Sequence, residues 1–441
     1  MSNSAEITVG DPQSRPPPAE SQALRQHLTA RLADVRRATE RLVASLGAED
    51  QNLQSMPEAS PAKWHRAHTT WFFETFVLEP NAADHKCFNP AFTELFNSYY
   101  NAVGRQHPRP RRALLSRPDV AEVGRYREHV DQAMEKLISG CDHECLQRIA
   151  PLIELGVNHE QQHQELLLTD LKHAFSFNPL APRMGSGQKA GRTAPRPARF
   201  IEFDSGMVEI GATGADFCFD NETPRHQVWL PSRFALADRP VNCGDFLEFI
   251  GAGGYRDPLL WLADGWAWVQ ENEIEAPMYW SRLDGDWQLL TLDGPRAIDP
   301  AETICHLNFY EAQAFAEWSN ARLPTEAEWE SVAAPQACDG NFADSERYHP
   351  TVPGEADGEQ PAAMFGDVWE WTASSYAPYP GFKPVAGAIG EYNGKFMANQ
   401  MVLRGGSCAT PKGHARASYR NFFYPVDRWQ FSGARLARDI E

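Results

Sequence analysis

The stretch that decides the fold runs from Asn158 to Leu171, NHEQQHQELLLTDL. Its histidines, His159 and His163, stand four residues apart, and on an α-helix that spacing puts both imidazoles on one face, within reach of a single ion. Leu166, Leu167 and Leu171 continue the helical period downstream. Upstream, Ile149, Leu152, Ile153, Leu155 and Val157 extend it, so the pattern predicts one long helix from about Glu144 to Phe175. Such a helix needs partners for its apolar face, and they precede it. Leu24, Leu28, Leu32, Val35, Leu42 and Leu46 follow the same period up to Gly47. Trp64, His68, Trp71 and Thr75 form one stripe of a second helix, with Ser60 as the expected cap and Pro61 in the first turn. A third helix is predicted from about Asp119 to Ile138, and four such segments joined by loops predict an up-down four-helix bundle.

The same stretch also reads as H-E-x-x-H, in which Glu160 would activate water on a peptidase zinc. That chemistry needs a third ligand downstream. The positions where one such pattern places Gly and His hold Leu166 and Thr169, and no Glu lies between Leu166 and Ile201. A third histidine is available upstream instead. His68 shares its stripe with Trp64 and Trp71 and is the expected ligand, whereas His65 is the competitor and otherwise a supporting or surface residue. Three neutral imidazoles without a carboxylate leave open coordination positions. That set suits zinc, and equally ferrous iron, which uses open positions to hold substrate and dioxygen together; spacing does not choose between them. Cys141-Asp142-His143-Glu144-Cys145 imitates a thiolate site but sits at a helix start.

The rest of the chain has a different texture. Its 441 residues suit two or three domains. Residues 1–20 are polar and Pro-rich and are expected to be disordered; 21–178 hold the bundle; 179–198, rich in Pro, Gly, Ala and basic residues, read as a linker. From 199 to 441, short apolar runs such as FIEF, MVEIG, HQVWL and MVLRGG alternate with turns. Only Cys243 to Gly251 and Asn308 to Asn320 look helical there, which predicts an irregular α+β domain whose Trp and Tyr side chains anchor loops. With 41 Lys and Arg against 59 Asp and Glu, the formal charge of -18 excludes a broad basic face for nucleic acid. No run approaches the roughly 20 apolar residues of a membrane span, and the N-terminus lacks the signal-peptide pattern, so a cytoplasmic protein with no membrane partner is expected. Eight cysteines without a CxxC pair read as reduced thiols.

Longer motifs then carry a resemblance. SPAKWHRAHTTWFFETFVL (60–78) and NHEQQHQELLLTDL resemble the DinB-like bundle. LPTEAEWE (323–330), GDVWEWTAS (366–374) and LRGGS (403–407) resemble the formylglycine-generating-enzyme-like domain, a variant of the C-type lectin fold. In this order, and together with FNSYYNAVG (96–104) and RASYRNFFYPVDRWQFSGARLAR (416–438), the chain resembles the ergothioneine-biosynthesis sulfoxide synthases, or hercynine oxygenases. The resemblance implies a multidomain α and α+β protein, a DinB-like four-helix bundle followed by a C-type-lectin-like domain. It also implies an enzyme that uses Fe(2+) and O2 to join the sulfur of cysteine or γ-glutamylcysteine to imidazole C2 of trimethylated histidine (hercynine), as a sulfoxide.

Residue by residue, the resemblance places the iron ligands on His68, His159 and His163, in agreement with the spacing argument. Gln162 and Asn421 match positions that hold the substrate imidazole. Phe422 and Phe423 are the aromatic candidates for its quaternary ammonium, which cannot donate a hydrogen bond. Arg109 and Arg112 match a pair that would bind the thiol's carboxylate, with Arg111 between them. Tyr99 and Tyr100 resemble the Tyr-Tyr pair of one subgroup, catalytic phenols that deliver a proton, or a proton with an electron, to reduced oxygen. Tyr376 and Tyr379 rank below them. The pair favours free cysteine as donor. Phe422 and Phe423 stand where many members have Trp-Asp, which removes a carboxylate near the thiol or ammonium site.

Three alternatives stand beside this reading. An ovothiol-type sulfoxide synthase would need an additional methyltransferase domain. A DinB-type zinc-dependent thiol S-transferase would keep the three histidines and have no use for the second half. A lectin-like binding protein would leave the inward histidines unexplained. Cys338 and Cys408 do not form the paired motif that a formylglycine-generating role requires.

Overall fold

The computed structural model describes residues 19–185 and 193–440. The expected disorder of residues 1–20 falls, apart from its last two positions, outside the described residues, as does the middle of the 179–198 linker. Four long helices build the first half: α1 (Ala19–Val43), α2 (Ala62–Phe73), α3 (Val120–Gly140) and α4 (His143–Ser176). The caps explain two of their starts. Asp119 accepts the Glu122 N–H and Asp142 accepts the Cys145 N–H, both at 2.8 Å. The second helix departs from expectation, because Pro61, not Ser60, occupies its cap position, while the Ser60 hydroxyl accepts a hydrogen bond from Arg112 at 2.7 Å. The first helix ends at Val43, before the expected Gly47, in a turn closed by Leu46 N–H to the Val43 carbonyl.

Helix α2 is the centre of the bundle, and every residue of it is buried, the polar ones included. Trp64, Trp71, Phe72 and Phe73 are each at most 2% exposed, and burying side chains of this size stabilises by about 1.5–3 kcal/mol apiece. The close approach of α4 depends on Gly156. A Cβ there would lie 2.5 Å from Phe73 Cε1 and 3.0 Å from Phe72 Cε1, so only hydrogen fits. This contact sets the separation of the two helices that carry the histidines.

The second half is a set of small sheets bound by long loops. β1 (Phe200–Phe203), β4 (Phe234–Ala237) and β12 (Ala437–Asp439) form one antiparallel sheet in the order β1-β4-β12, which seats the C-terminal strand beside β4, with β4 between it and the domain's first strand. β2 (Gly206–Ile210) pairs with β3 (His226–Leu230), and β5 (Trp280–Leu283), β6 (Asp286–Thr291) and β7 (Gly294–Ala297) form a meander. The sheet nearest the bundle has the order β10-β9-β8-β11, from β8 (Trp369–Ser375), β9 (Met401–Arg404), β10 (Asn421–Phe423) and β11 (Ser432–Gly433). Its motif residues serve as architecture. Glu370 of β8 pairs with Arg435, and Glu326 with Arg404 and Arg420, all buried.

Four helices stand in this half where two were expected: α5 (Cys243–Gly251), α6 (Ala263–Glu271), α7 (Phe309–Trp318) and α8 (Glu326–Ala333). α8 starts in a capping box, Thr325 with Glu328, inside the LPTEAEWE motif, so its signal was in the sequence. α6 has no such cap, and Gly265 lets it press against Tyr310, so packing decides it. Among the described residues no helix is long and apolar enough to cross a membrane, and all eight cysteines are free.

Candidate metal centre and active site

His68 of α2 and His159 and His163 of α4 converge, each offering a ring nitrogen within 4.8 Å of the other two. The Nε2 atoms of His68 and His159 are 3.2 Å apart. A hydrogen-bond network sets which nitrogen each ring presents. His68 Nδ1–H donates to the Phe96 carbonyl at 2.6 Å, which leaves its Nε2 lone pair facing the centre. His163 Nδ1 is 2.8 Å from His65 Nδ1, and His65 Nε2 is 3.1 Å from Asp170 Oδ2. The consistent assignment is a relay in which His163 donates to His65 and His65 to Asp170, so His163 also turns Nε2 inward. Asp170 is itself held by the Ser60 N–H at 2.8 Å. His65 is thus a buried positioning residue, the supporting role that sequence left open against ligation.

The rings fit a metal. Burial pulls His159 down to about 3 and holds His68 and His163 well below the usual imidazole range, with His159 the next cause for both. All three are neutral at physiological pH and present lone pairs. His159 Nδ1 is buried without a hydrogen-bond partner, and its Nε2 faces that of His68. Three nitrogen donors without a carboxylate suit a borderline divalent ion with open positions. His68 is clamped between Trp64 (4.6 Å, 12° between planes) and Trp71 (5.6 Å, 16°).

Glu160 does not take part. It is fully buried, held by Arg36 and Arg127 at 2.9 Å each and by the Thr39 hydroxyl at 2.6 Å. Burial works to raise its pKa, but the two guanidiniums hold it down to about 2. A carboxylate locked in this way is no peptidase base. Cys141 and Cys145 flank the α4 cap, far along the chain from the histidines.

The second domain covers the centre. Tyr392 donates its hydroxyl to Gln162 Oε1, and Gln162 Nε2 donates to the Tyr419 hydroxyl at 2.7 Å, so the amide between the two histidines is fixed from across the domain boundary. Tyr419 in turn reaches His414 (3.2 Å), which contacts Asn158 (3.0 Å). The Tyr392 ring lies 5.7 Å from that of His159 and 6.4 Å from that of Tyr99. Its loop is anchored on the tyrosine turn: Glu391 accepts the Asn101 and Ala102 N–H groups at 3.1 and 2.8 Å, and Lys395 donates to the Tyr99 carbonyl. A further latch binds Glu165 of α4 to Trp369, Ser407 and Thr410.

Tyr99 and Tyr100 stack at 4.6 Å. Tyr100 packs on Trp71 (5.6 Å) and is fully buried. Burial pushes both phenols up, so they keep their protons at neutral pH. Tyr376 and Tyr379 are engaged elsewhere, with Asn221 and with Arg404 respectively. Arg112 is 2% exposed and stacks 3.4 Å above the Trp64 ring; two of its nitrogens reach only the Ser60 and Ser98 hydroxyls, and its Nε has no partner. Burial, and Arg109 after it, work against that charge while Asp170 favours it; a guanidinium keeps its proton, and no carboxylate is among its hydrogen-bond partners. Arg109 is exposed and donates to the Glu58 carbonyl. Phe422 and Phe423 are successive residues of β10 and so point to opposite faces. Phe422 lies flat on Tyr376 at 4.0 Å and next to Phe396, whereas Phe423 meets Trp429; Asn421 pairs with Leu403 in the sheet. Tyr392 and Tyr419 are the site residues that sequence reasoning missed.

Known proteins match both halves of the chain. The DinB superfamily matches residues 31–167, and the sulfatase-modifying factor enzyme 1-like domain matches 188–362 and 361–440. A hercynine oxygenase of Mycolicibacterium thermoresistibile is 31% identical over 453 residues, covering 95% of this chain and 96% of the relative. One of Mycolicibacterium smegmatis is 31% identical over 444 residues, covering 94% and 99%. Ergothioneine biosynthesis protein 1 of Schizosaccharomyces pombe is 26% identical over 239 residues, covering 51% of this chain and 28% of the relative.

Proposed function

The chain belongs to the hercynine oxygenase family and is a sulfoxide synthase of ergothioneine biosynthesis, and from that premise we propose that it binds iron(II) through His68, His159 and His163 and joins cysteine or γ-glutamylcysteine to imidazole C2 of hercynine. The observation that carries the assignment is the set of three neutral imidazoles, two of them with the inward nitrogen fixed, His68 by Phe96 and His163 by the His65–Asp170 relay. Ferrous iron, when bound, supplies the redox chemistry that activates dioxygen. The balance is one thiol, one imidazole C–H and one O2 giving the C–S bond, the sulfoxide oxygen and one water.

The chain's own residues bind, orient and move protons. Gln162, held by Tyr392 and Tyr419, offers its amide to the substrate imidazole, with Asn421 as the second contact. Phe422 and Phe423 point to opposite faces of β10, so one ring of the two, not both, serves the quaternary ammonium. Arg112, buried with no carboxylate among its hydrogen-bond partners, is suited to the thiol substrate's carboxylate, and Arg109 is exposed. Tyr99 and Tyr100 are phenols that hold their protons at neutral pH and so act as donors to reduced oxygen. In domain terms, residues 21–178 hold the metal and 199–441 close the site, joined by the 179–198 linker. The setting is the cytoplasm, which suits eight free thiols.

The test supplies hercynine with each thiol in turn, under air, to iron-loaded protein and weighs the product. A sulfoxide with one thiol supports the assignment and identifies the donor. Tyr99→Phe and Tyr100→Phe should divert oxygen toward oxidation of the thiol alone; unchanged partitioning in both removes the phenols from the mechanism.

A further inference from the structure

A second cluster of ligand-type side chains gathers at the C-terminal end of α2. Glu74, His85 and His129 each place a ligand atom within 4.8 Å of the other two. Glu74 follows α2 directly, in a π-helical turn from Glu74 to Leu78, a departure that re-aims side chains and often marks functional sites. The three residues come from separate parts of the bundle: the end of α2, the loop after it, and the middle of α3.

Glu74 is unusual among the bundle's buried carboxylates. Its side chain is 3% exposed, as is nearly true of its partner His85 at 4%. Glu160 is neutralised by two guanidiniums, yet the one basic group within ion-pair distance of Glu74 among the described residues is the imidazole of His85, at 3.1 Å. The remaining contacts are neutral donors, the Tyr126 hydroxyl at 2.6 Å and the Phe88 N–H at 3.1 Å. A buried carboxylate with no fixed cation carries a large desolvation cost, which a bound cation offsets. His129 completes the set. Its ring lies 5.4 Å from that of His85, and its Nε2–H donates to the Lys86 carbonyl at 2.9 Å, leaving Nδ1 with a free lone pair. A ligating histidine anchored through its other nitrogen to a backbone carbonyl is the usual arrangement in metal sites.

We propose that Glu74, His85 and His129 form a second metal site, for a divalent transition ion such as zinc, distinct from the catalytic centre. One carboxylate oxygen and two imidazoles are a donor set that zinc takes readily, with water in the fourth position. The site has a structural role. It ties the 82–92 loop to α3, and the chain continues from that loop through Phe88, Phe92 and Phe96, which pack with Tyr126. Phe96 supplies the carbonyl that orients His68, and Tyr99 and Tyr100 follow. The second ion therefore braces the segment that presents the tyrosine pair.

Metal-stripped full-length protein equilibrated with Zn2+ and measured by mass spectrometry of the bound metal gives the test. Wild type should retain about two ions per chain, with about one in His129→Ala and in His85→Ala, which remove ligands of the second site, and about one in the catalytic-site variant His159→Ala, which removes a ligand of the first. His129 is only partly buried, so its variant should keep the fold, and circular dichroism checks this. Anomalous scattering at the zinc edge should show a peak between Glu74 and His129. Two ions retained in both His85→Ala and His129→Ala, or a single ion in wild type that His159→Ala abolishes, overturns the proposal and leaves the hydrogen bond to His85 as the pairing of Glu74.

Discussion

Replacing Glu165 by alanine tests how the two domains are held around the centre. Glu165 stands two residues past His163 and accepts hydrogen bonds from the Trp369 indole (2.8 Å), the Ser407 hydroxyl and the Thr410 hydroxyl (2.7 Å), all from the second domain. Burial raises its pKa, and the three donors pull it back. Alanine strands those donors, and a stranded buried donor costs about 1–3 kcal/mol. Ser407 and Thr410 lie 3.4 Å apart and can partly satisfy each other. The net loss is therefore about 3 kcal/mol, near the low end of the sum over three groups. For a domain of this size that is a fall of about 6–12 °C in the melting midpoint. Glu165→Gln, which keeps one oxygen acceptor, should lose about half as much. Thermal unfolding followed by tryptophan fluorescence reads the result, since Trp369 reports directly on the latch. A Glu165→Ala protein melting within about 1 °C of wild type would refute the reasoning, because it would mean that the stranded donors cost nothing.

Other changes test other parts of the account. Gly156→Ala puts a methyl 2.5 Å from Phe73, and relief of that overlap should cost about 1–3 kcal/mol by denaturant unfolding and weaken metal binding, since Phe72 also touches His159. Arg112→Leu should raise KM for the thiol substrate by about tenfold to a hundredfold, the range for a lost charge-assisted bond, with KM for hercynine little changed in steady-state kinetics. Asp427 is pushed up to about 7 by burial, with Glu58 adding to the effect. A carboxyl raised in the folded state stabilises the fold below its unfolded pKa and loses that contribution as pH rises through about 7. Asp427→Asn should therefore raise the melting midpoint at pH 8 and leave it unchanged near pH 4; after discounting for partial exposure the gain is about 1–2 kcal/mol.

The bundle and the three converging histidines were legible because their signals are local. A four-residue histidine spacing and an aromatic stripe containing His68 need only helical periodicity. The parts that were not legible depend on contacts far apart in the chain. His65 reads as a ligand rival of His68 until Asp170, 105 residues later, is seen to accept its proton. Tyr392 sits in an irregular loop with no periodicity, 230 residues from the Gln162 that it holds. Ser60 looks like a helix cap, but Arg112 claims its hydroxyl. In the second domain strands of two to seven residues carry too little pattern to set boundaries, as β11 and β8 illustrate. α8 was different: its capping box was readable, and the surrounding loop texture obscured it.

The central claim is that the three histidines hold an iron on which this domain junction couples a thiol to an imidazole. The most direct measurement is anaerobic titration of wild type and His159→Ala with iron(II), followed by admission of air with hercynine and thiol while oxygen uptake and product mass are recorded. The account predicts stoichiometric iron binding, oxygen uptake dependent on both substrates and a sulfoxide product in wild type, all lost in the variant. Tight iron binding by wild type with no sulfoxide from either thiol, or sulfoxide formed equally well by His159→Ala, would contradict it.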